Sequence, residues 1–371
     1  MKFEKKGLHE ALKVVAPFAG VFPVKQVLFG VEKEVPLPVI RLVFGSGSLV
    51  LEAVNRQASI HLSLLAEGKE EHSYCLPVKP LLEAVGMADG DLQLTHSESG
   101  LCVKSGTGKT TIKQVGEEAV PPLVGSEAFT ALGVSNQEVA RGIGMVAGAA
   151  SQDAARPALR GVQVEMMNGS LVFAATDGFR LAVCTLQTPV KENYAFLLPI
   201  EAVSGLVGCL SKQEGEARVV VTETQAIFAL GEGFVAAQLV DGRFPDWRQI
   251  IPKSHKARIV FDSALAAAIK TAKVVARESS LRMPSIALAV GENKVTVRSQ
   301  AEEVGSSTVE VTPASISGEM GDTEIVFNAN LIPLAEIGEG AEIALNGAKY
   351  PALWTNGKEG WQYLLMPVEK R

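Results

Sequence analysis

Leu8-His9-Glu10-Ala11-Leu12-Lys13-Val14-Val15 places apolar residues at i, i+3, i+4 and i+7. That spacing is one face of an α-helix. The same stripe returns at Val139, Gly142, Ile143 and Val146, and again at Leu265, Ala268, Ile269 and Ala272. The copies stand about 125 residues apart, far beyond the roughly 20–50 residues of a solenoid unit. Two further marks recur. Leu76-Pro77-Val78, Leu198-Pro199-Ile200 and Phe327-Asn328-Ala329 each open a second apolar stretch. Gln114 precedes Pro121 by the same interval that separates Gln238 from Pro245. A period this long implies three copies of a whole domain, at 1–124, 125–253 and 254–371. A chain built this way fits a scaffold or a ring better than an enzyme with one pocket.

The 371 residues leave each third long enough to bury its own core. Hydrophobic residues make up 47% and charged residues 20%, the balance of a folded chain and not a disordered one. No apolar run reaches the roughly 18–20 residues of a membrane span. The charged opening Met1 to Lys6 leads directly into an amphipathic stretch, which reads as a chain without a signal peptide. Cys75, Cys102, Cys184 and Cys209 stand singly, with no CxxC pair and no histidine at ligand spacing. They read as reduced core residues of a cytoplasmic protein, and neither a metal site nor a cofactor is expected. The formal charge of -6 runs against the basic excess usual for nucleic-acid binders. An acidic chain that works on DNA must confine its positive charge to one surface.

Each third reads as antiparallel strands plus two helices, an α+β unit. Strands are expected at Pro38–Phe44, Ser48–Ala53, Arg218–Thr222, Ala226–Leu230, Lys294–Arg298 and Ser307–Val311, with turns at Asn168-Gly169 and Gly291-Glu292-Asn293. Helices are expected near 7–16, 77–87, 135–150, 199–211, 262–278 and 328–337, with Ser135, Asp262 and Asn328 as N-caps. The glycines at 142, 144 and 148 suggest a helix packed closely on a sheet, since glycine otherwise costs a helix roughly 0.8–1 kcal/mol per position. Glu117 to Ser126 and Pro252 to Arg258 read as linkers.

Two motifs are decoys. Ser105-Gly106-Thr107-Gly108-Lys109-Thr110-Thr111 resembles a phosphate-binding loop, but Val103 stands where that motif needs glycine. A strand-like segment follows it where a helix N-terminus is required. It reads as a hairpin turn, with Lys104, Lys109 and Lys113 forming a basic edge. Gly142 to Ala147 fits a loose dinucleotide fingerprint but falls inside a helix. No catalytic constellation is present in the pattern, and the chain reads as not an enzyme.

Three segments carry the functional signal: Arg156-Pro157-Ala158-Leu159-Arg160-Gly161-Val162 followed by Ala175-Thr176-Asp177-Gly178-Phe179-Arg180-Leu181-Ala182; Asp241-Gly242-Arg243-Phe244-Pro245-Asp246-Trp247; and the end Leu364-Leu365-Met366-Pro367-Val368. Together, in this order, they resemble the bacterial DNA polymerase III β subunit, the sliding clamp family. The resemblance covers the whole chain and is strongest in the last two thirds.

That resemblance implies a DNA clamp fold that closes into a ring as a head-to-tail homodimer. It implies duplex DNA encircled without sequence preference, and a processivity factor that tethers the replicative polymerase. The implied partners are the DNA polymerase III catalytic subunit, the clamp loader and other proteins with clamp-binding motifs, with no membrane. The implied peptide cleft comprises Leu159, Thr176, Gly178, Phe179, Arg180, Leu181, Pro245, Ile250, Met283, Asn328, Leu331, Leu364, Leu365, Met366, Pro367 and Val368. Leucine, methionine and proline make an adaptable apolar surface for peptide anchors. Phe179 replaces a common histidine, Gln249 replaces a common arginine, and Glu369-Lys370-Arg371 replaces the family's usual end. These changes alter the charge and peptide preference of the cleft. Only Phe22-Pro23-Val24 stands where the family has a proline-rich turn.

The expected helices offer Lys13, Lys79, Arg141, Lys212, Lys270, Lys273 and Arg277 toward DNA, interspersed with Glu10, Glu83, Glu138, Glu201, Asp262 and Glu278. A clamp needs only weak phosphate attraction, because enclosure does the holding. Lys104, Lys109 and Lys113 facing Glu302 and Glu303 of a second copy would favour head-to-tail closure. Two rival readings are a monomeric peptide-binding adaptor and a nucleotide-binding enzyme that uses the SGTGKTT loop.

Overall fold

A computed structural model describes residues 1–28, 31–45, 47–68, 71–116, 129–277, 283–318, 323–357 and 360–368. The linker at Glu117 to Ser126, Glu278 and the Glu369-Lys370-Arg371 end lie outside the described residues. The chain forms two compact units. One comprises Met1–Gly144, Met166–Gly169 and Gln187–Asp241; the other comprises Met145–Glu165, Ser170–Leu186 and Gly242–Arg371.

In the first unit, Lys2–Phe3, Leu92–Ser97, Gly100–Ser105 and Gly108–Lys113 form a four-stranded sheet in that order. Its outermost strand, Gly108–Lys113, carries Lys109 and Lys113, and Lys104 lies directly opposite Lys109. A nine-stranded sheet runs Thr130–Ser135, Glu216–Val221, Gln225–Leu230, Gly233–Gln238, Ala58–Leu65, Ser48–Val54, Val31–Gly45, Gly20–Leu28, with Ser73–Pro77 also on Val31–Gly45. Ala58–Leu65 and Gly233–Gln238 pair antiparallel over Leu62↔Gly233 to Ala58↔Ala237. This pairing joins the first third of the chain to the middle third. The helix Lys5–Val15 buries the Leu8, Ala11, Leu12, Val15 face and packs on the helices Val78–Met87 and Ile200–Leu210.

In the second unit, one sheet runs Gly161–Met167, Ser170–Thr176, Arg180–Gln187, Trp361–Leu365, Ala352–Thr355, Ala341–Leu345, Ala257–Phe261, Ser315–Gly318. The last strand of the chain therefore lies beside Arg180–Gln187, with Arg180↔Leu365 and Cys184↔Trp361 in register. The other sheet runs Gly305–Val311, Val295–Ala301, Ser285–Val290, Thr323–Asn328. The helix Ala264–Arg277 packs on its first three strands.

Five of the six expected helices form, at Lys5–Val15, Val78–Met87, Asn136–Ala147, Ile200–Leu210 and Ala264–Arg277. The sixth does not. From Asn328 the chain makes only the 3₁₀ turn Ala329–Leu331, capped by Asn328 Oδ1 accepting from the Asn330 amide. Pro333 is the reason: it has no amide to donate, and it pushes the residue before it, Ile332 at φ -68°, ψ 128°, into the extended region.

Of the three glycines, Gly142 is buried, but Gly144 and Gly148 are exposed. A Cβ at Gly144 or Gly148 would meet nothing within 4 Å. The close approach lies in the next helix, where a Cβ on Gly205 would sit 2.5 Å from the ring of buried Phe18. Ser135 forms a capping box: its amide and hydroxyl donate to Glu138 Oε2 at 2.9 and 2.7 Å, and its hydroxyl accepts from the Glu138 amide at 3.2 Å. Asn168 and Gly169 both take positive φ, 52° and 79°, as a tight hairpin turn requires.

Candidate functional site

All the cleft candidates fall within the second unit. The turn Thr176–Arg180 is its centre. Thr176 Oγ1 donates to the Arg180 carbonyl at 2.6 Å and accepts from the Gly178 amide at 3.1 Å. Asp177 Oδ1 accepts from the Phe179 and Arg180 amides at 2.9 and 3.0 Å, and Oδ2 accepts from Arg180 Nε at 2.9 Å. Gly178 sits at φ +93°, a conformation that side chains resist. The result is a rigid turn that presents Phe179 at 63% exposure.

Arg156 fastens this turn from behind, with Nη1 on the Asp177 carbonyl and Nε on Asp153 Oδ2, both at 3.0 Å. Burial alone would push the Arg180 guanidinium down, but neighbouring Tyr363 and Asp177 outweigh it and raise it. The Tyr363 phenol, pushed up by burial, donates to the Leu331 carbonyl at 2.6 Å. One polar chain thus runs from Asp177 through Arg180 and Tyr363 to Leu331.

The tail completes the site. Beyond the Trp361–Leu365 strand, the Met366 amide donates to the Phe179 carbonyl at 2.9 Å and the Val368 amide to the Val326 carbonyl at 2.8 Å. Pro367 lies between these two bonds, where no donor is needed. Met366, Met283 and Ile250 are 40%, 49% and 47% exposed. Pro245 and Gly178 are exposed, while Leu159, Asn328, Leu331, Pro367 and Val368 are half-buried. Thr176, Leu181, Leu364 and Leu365 are buried and act as the framework beneath the exposed apolar groups.

The Asp241 to Arg248 segment is anchored beside this framework. A Cβ on Gly242, at φ +145°, would sit 3.1 Å from the Ala158 Cβ. Trp247 is buried and donates to Glu165 Oε1 at 3.4 Å. Arg248 reaches Glu165 Oε2 at 2.7 Å and lies 4.2 Å over the Trp247 ring. In the sequence, Arg156 and Asp177 stand in the marked segments with no role assigned to them, and Glu165 and Tyr363 are not singled out. Their roles depend on partners 21 to 83 positions away in the chain or on a neighbouring strand, and no local pattern encodes that.

Among the DNA-facing candidates, Lys13, Lys79, Arg141, Lys212 and Lys270 are exposed. Lys273 is not: at 8% exposure it lies on the buried side of its helix, and it is withdrawn from the set. The Arg277 side chain is outside what the structure describes. Lys104, Lys109 and Lys113 are exposed on the hairpin that ends the four-stranded sheet. Glu302 and Glu303 are exposed in the turn between Val295–Ala301 and Gly305–Val311, so they sit beside that edge strand and not on it. The SGTGKTT segment is the tip of the Gly100–Ser105/Gly108–Lys113 hairpin and leads into no helix. Among the described residues, no group of three His, Cys, Asp or Glu could hold a metal ion. No described helix is long and apolar enough to cross a membrane.

Sheet-dominated units with few helices give the chain a fold that it shares with solved DNA clamps. Residues 133–246 match the family described as DNA polymerase III beta subunit, central domain. The chain is 26% identical over 340 residues to the beta sliding clamp of Synechococcus elongatus, covering 88% of this chain and 89% of that one. It is 24% identical over 360 residues to the beta sliding clamp of Pseudomonas putida, covering 93% and 96%. Its fold is shared with the crystal structure of the DNA polymerase III beta subunit of Thermotoga maritima, at TM-score 0.88 and 21% identity over 100% of this chain and 99% of that one. It is likewise shared with the sliding clamp of Pseudomonas aeruginosa bound to griselimycin, at TM-score 0.85 and 22% identity with the same coverage. Over most of its length the chain is thus similar to beta sliding clamps, and its middle third matches the central domain of the DNA polymerase III beta subunit.

Proposed function

We propose that this chain is a DNA sliding clamp: a processivity factor, not an enzyme, that encircles duplex DNA and tethers the replicative polymerase. It acts in the cytoplasm as a head-to-tail homodimer of three-domain chains, with domains at 1–124, 125–253 and 254–371. The observation that carries the reading is the tail. Met366-Pro367-Val368 is tied at one end to Phe179 and at the other to Val326, and Met366 and Phe179 are both exposed. An extended peptide with apolar anchors fits such a surface. The DNA polymerase III catalytic subunit, the clamp loader and other proteins with clamp-binding motifs dock there. Phe179 makes this version of the site more apolar than one carrying histidine.

Lys13, Lys79, Arg141, Lys212 and Lys270 face DNA, and the ring closes where the Gly108–Lys113 edge meets the Gly305–Val311 edge of a second copy. Both strands end their sheets and leave backbone groups to pair. The test is retention on nicked circular duplex and release on linearisation. Equal retention on both forms would refute enclosure. Deleting Met366 onward should abolish polymerase stimulation and leave the dimer intact, because the Trp361–Leu365 strand remains.

A further inference from the structure

Glu10 stands between two of the lysines just assigned to DNA. Its Oε1 accepts from Lys13 Nζ at 3.0 Å, one helical turn on, and its Oε2 from Lys212 Nζ at 3.3 Å, just past the end of the Ile200–Leu210 helix. The three side chains are 46%, 48% and 51% exposed, so the cluster lies open to an incoming ligand. Its geometry is fixed by what lies beneath. Gly205 lets the second helix settle onto Phe18, which follows the first helix, and Leu8, Ala11, Leu12 and Val15 anchor the first helix on its other side. Hydrogen bonds from Lys13 and then Lys212 hold the Glu10 carboxyl below its usual range, so it is ionised at neutral pH.

We propose that Glu10 is a brake on DNA grip: it engages Lys13 and Lys212 itself, so that a phosphate can pair with either lysine only by displacing a carboxylate. This inference rests on the clamp reading and names the residue that tunes it. The cluster carries a net charge of +1 where two unpaired lysines would carry +2. The competing carboxylate lies well within the Debye length of about 8 Å at physiological salt, so it acts on any phosphate that approaches either ammonium group. Exposed ion pairs are weak and exchange readily. The lysines therefore stay available, but each phosphate contact is shallow, which is the condition for movement along the duplex without sticking.

The experiment measures binding of the full chain to a short linear duplex by fluorescence anisotropy across a salt series, with E10Q, K13Q and E10Q/K13Q beside the wild type. Each freed phosphate contact should steepen the log K against log salt slope by about 0.9. E10Q should therefore bind about threefold to tenfold tighter at low salt with a slope steeper by about 1–2. K13Q alone should weaken binding modestly, since it takes the cluster from +1 to 0 and leaves Glu10 on Lys212, and it should reverse most of the gain in the E10Q background. E10Q with unchanged affinity and slope, or with weaker binding, overturns the proposal. Retention of wild type on nicked circles, measured alongside, separates the two failures. If circles retain the protein while E10Q changes nothing, the brake falls and the clamp stands. If circles do not retain it, the clamp reading falls first.

Discussion

Asp177→Ala is the sharpest test of how the proposed cleft is held. The carboxylate accepts three hydrogen bonds, from two backbone amides and the Arg180 guanidinium, at 2.9, 3.0 and 2.9 Å. The side chains of Asp177 and Arg180 are only 16% and 19% exposed, so water replaces these bonds poorly. Bonds to a charged group contribute about 1.5–3 kcal/mol each, but three bonds on one carboxylate do not add. Arg180 also keeps Tyr363 after the change. The expected loss is about 3 kcal/mol, near the lower end for breaking a partly buried ion pair. For a unit of this size that is a fall in Tm of roughly 6–12 °C.

The functional effect should be out of proportion to the distance from any ligand. The Phe179 carbonyl holds the Met366 amide, so loosening the turn also loosens the tail. Losing one apolar anchor should cost an extended peptide about tenfold in affinity, or roughly 1.4 kcal/mol. Urea unfolding measures the first quantity, and anisotropy of a labelled apolar peptide measures the second. A variant within about 0.5 kcal/mol of wild type and with unchanged peptide affinity would refute the account of Asp177 as the organiser of the cleft.

Gly205→Ala should destabilise by about 1–2 kcal/mol in thermal melts, because the overlap with the Phe18 ring outweighs the helix propensity gained; a stabilised variant would show that the two helices can part freely. The Glu138 carboxyl is held below its ordinary 4.5, first by the Ser135 amide and then by its hydroxyl. Its contribution is therefore full above 4.5 and is lost as pH falls through the lowered value, so Ser135→Ala should cost about 1 kcal/mol near pH 7 and less in acid; equal cost at both pH values would contradict the capping box. Burial pushes the Cys209 thiol up to about 12, and Cys75, Cys102 and Cys184 are also buried. Alkylation at pH 8 should stay negligible until denaturant is added, and rapid labelling of the native chain would contradict this packing. Charge reversal at Lys109 and Lys113 should weaken the proposed homodimer in sedimentation, and an unchanged dissociation constant would move the interface elsewhere.

The sequence by itself determined the helical stripes, the strand-rich plan and the turns, because each depends on residues a few positions apart. Leu8, Ala11, Leu12 and Val15 share a face in any α-helix, Asn168-Gly169 accepts positive φ wherever it stands, and Ser135 and Glu138 find each other across one turn. The three segments that hold the cleft candidates were likewise legible as strings. Tertiary structure decided the rest. It set Lys273 on the buried side of its helix and turned Gly205 and not Gly144 into the point of close approach. It also brought Trp361–Leu365 alongside Arg180–Gln187, so that Met366 meets Phe179 from far along the chain. Pairings of that kind are fixed by which sheet edges and apolar faces must be covered, a property of the assembled core that no local window contains.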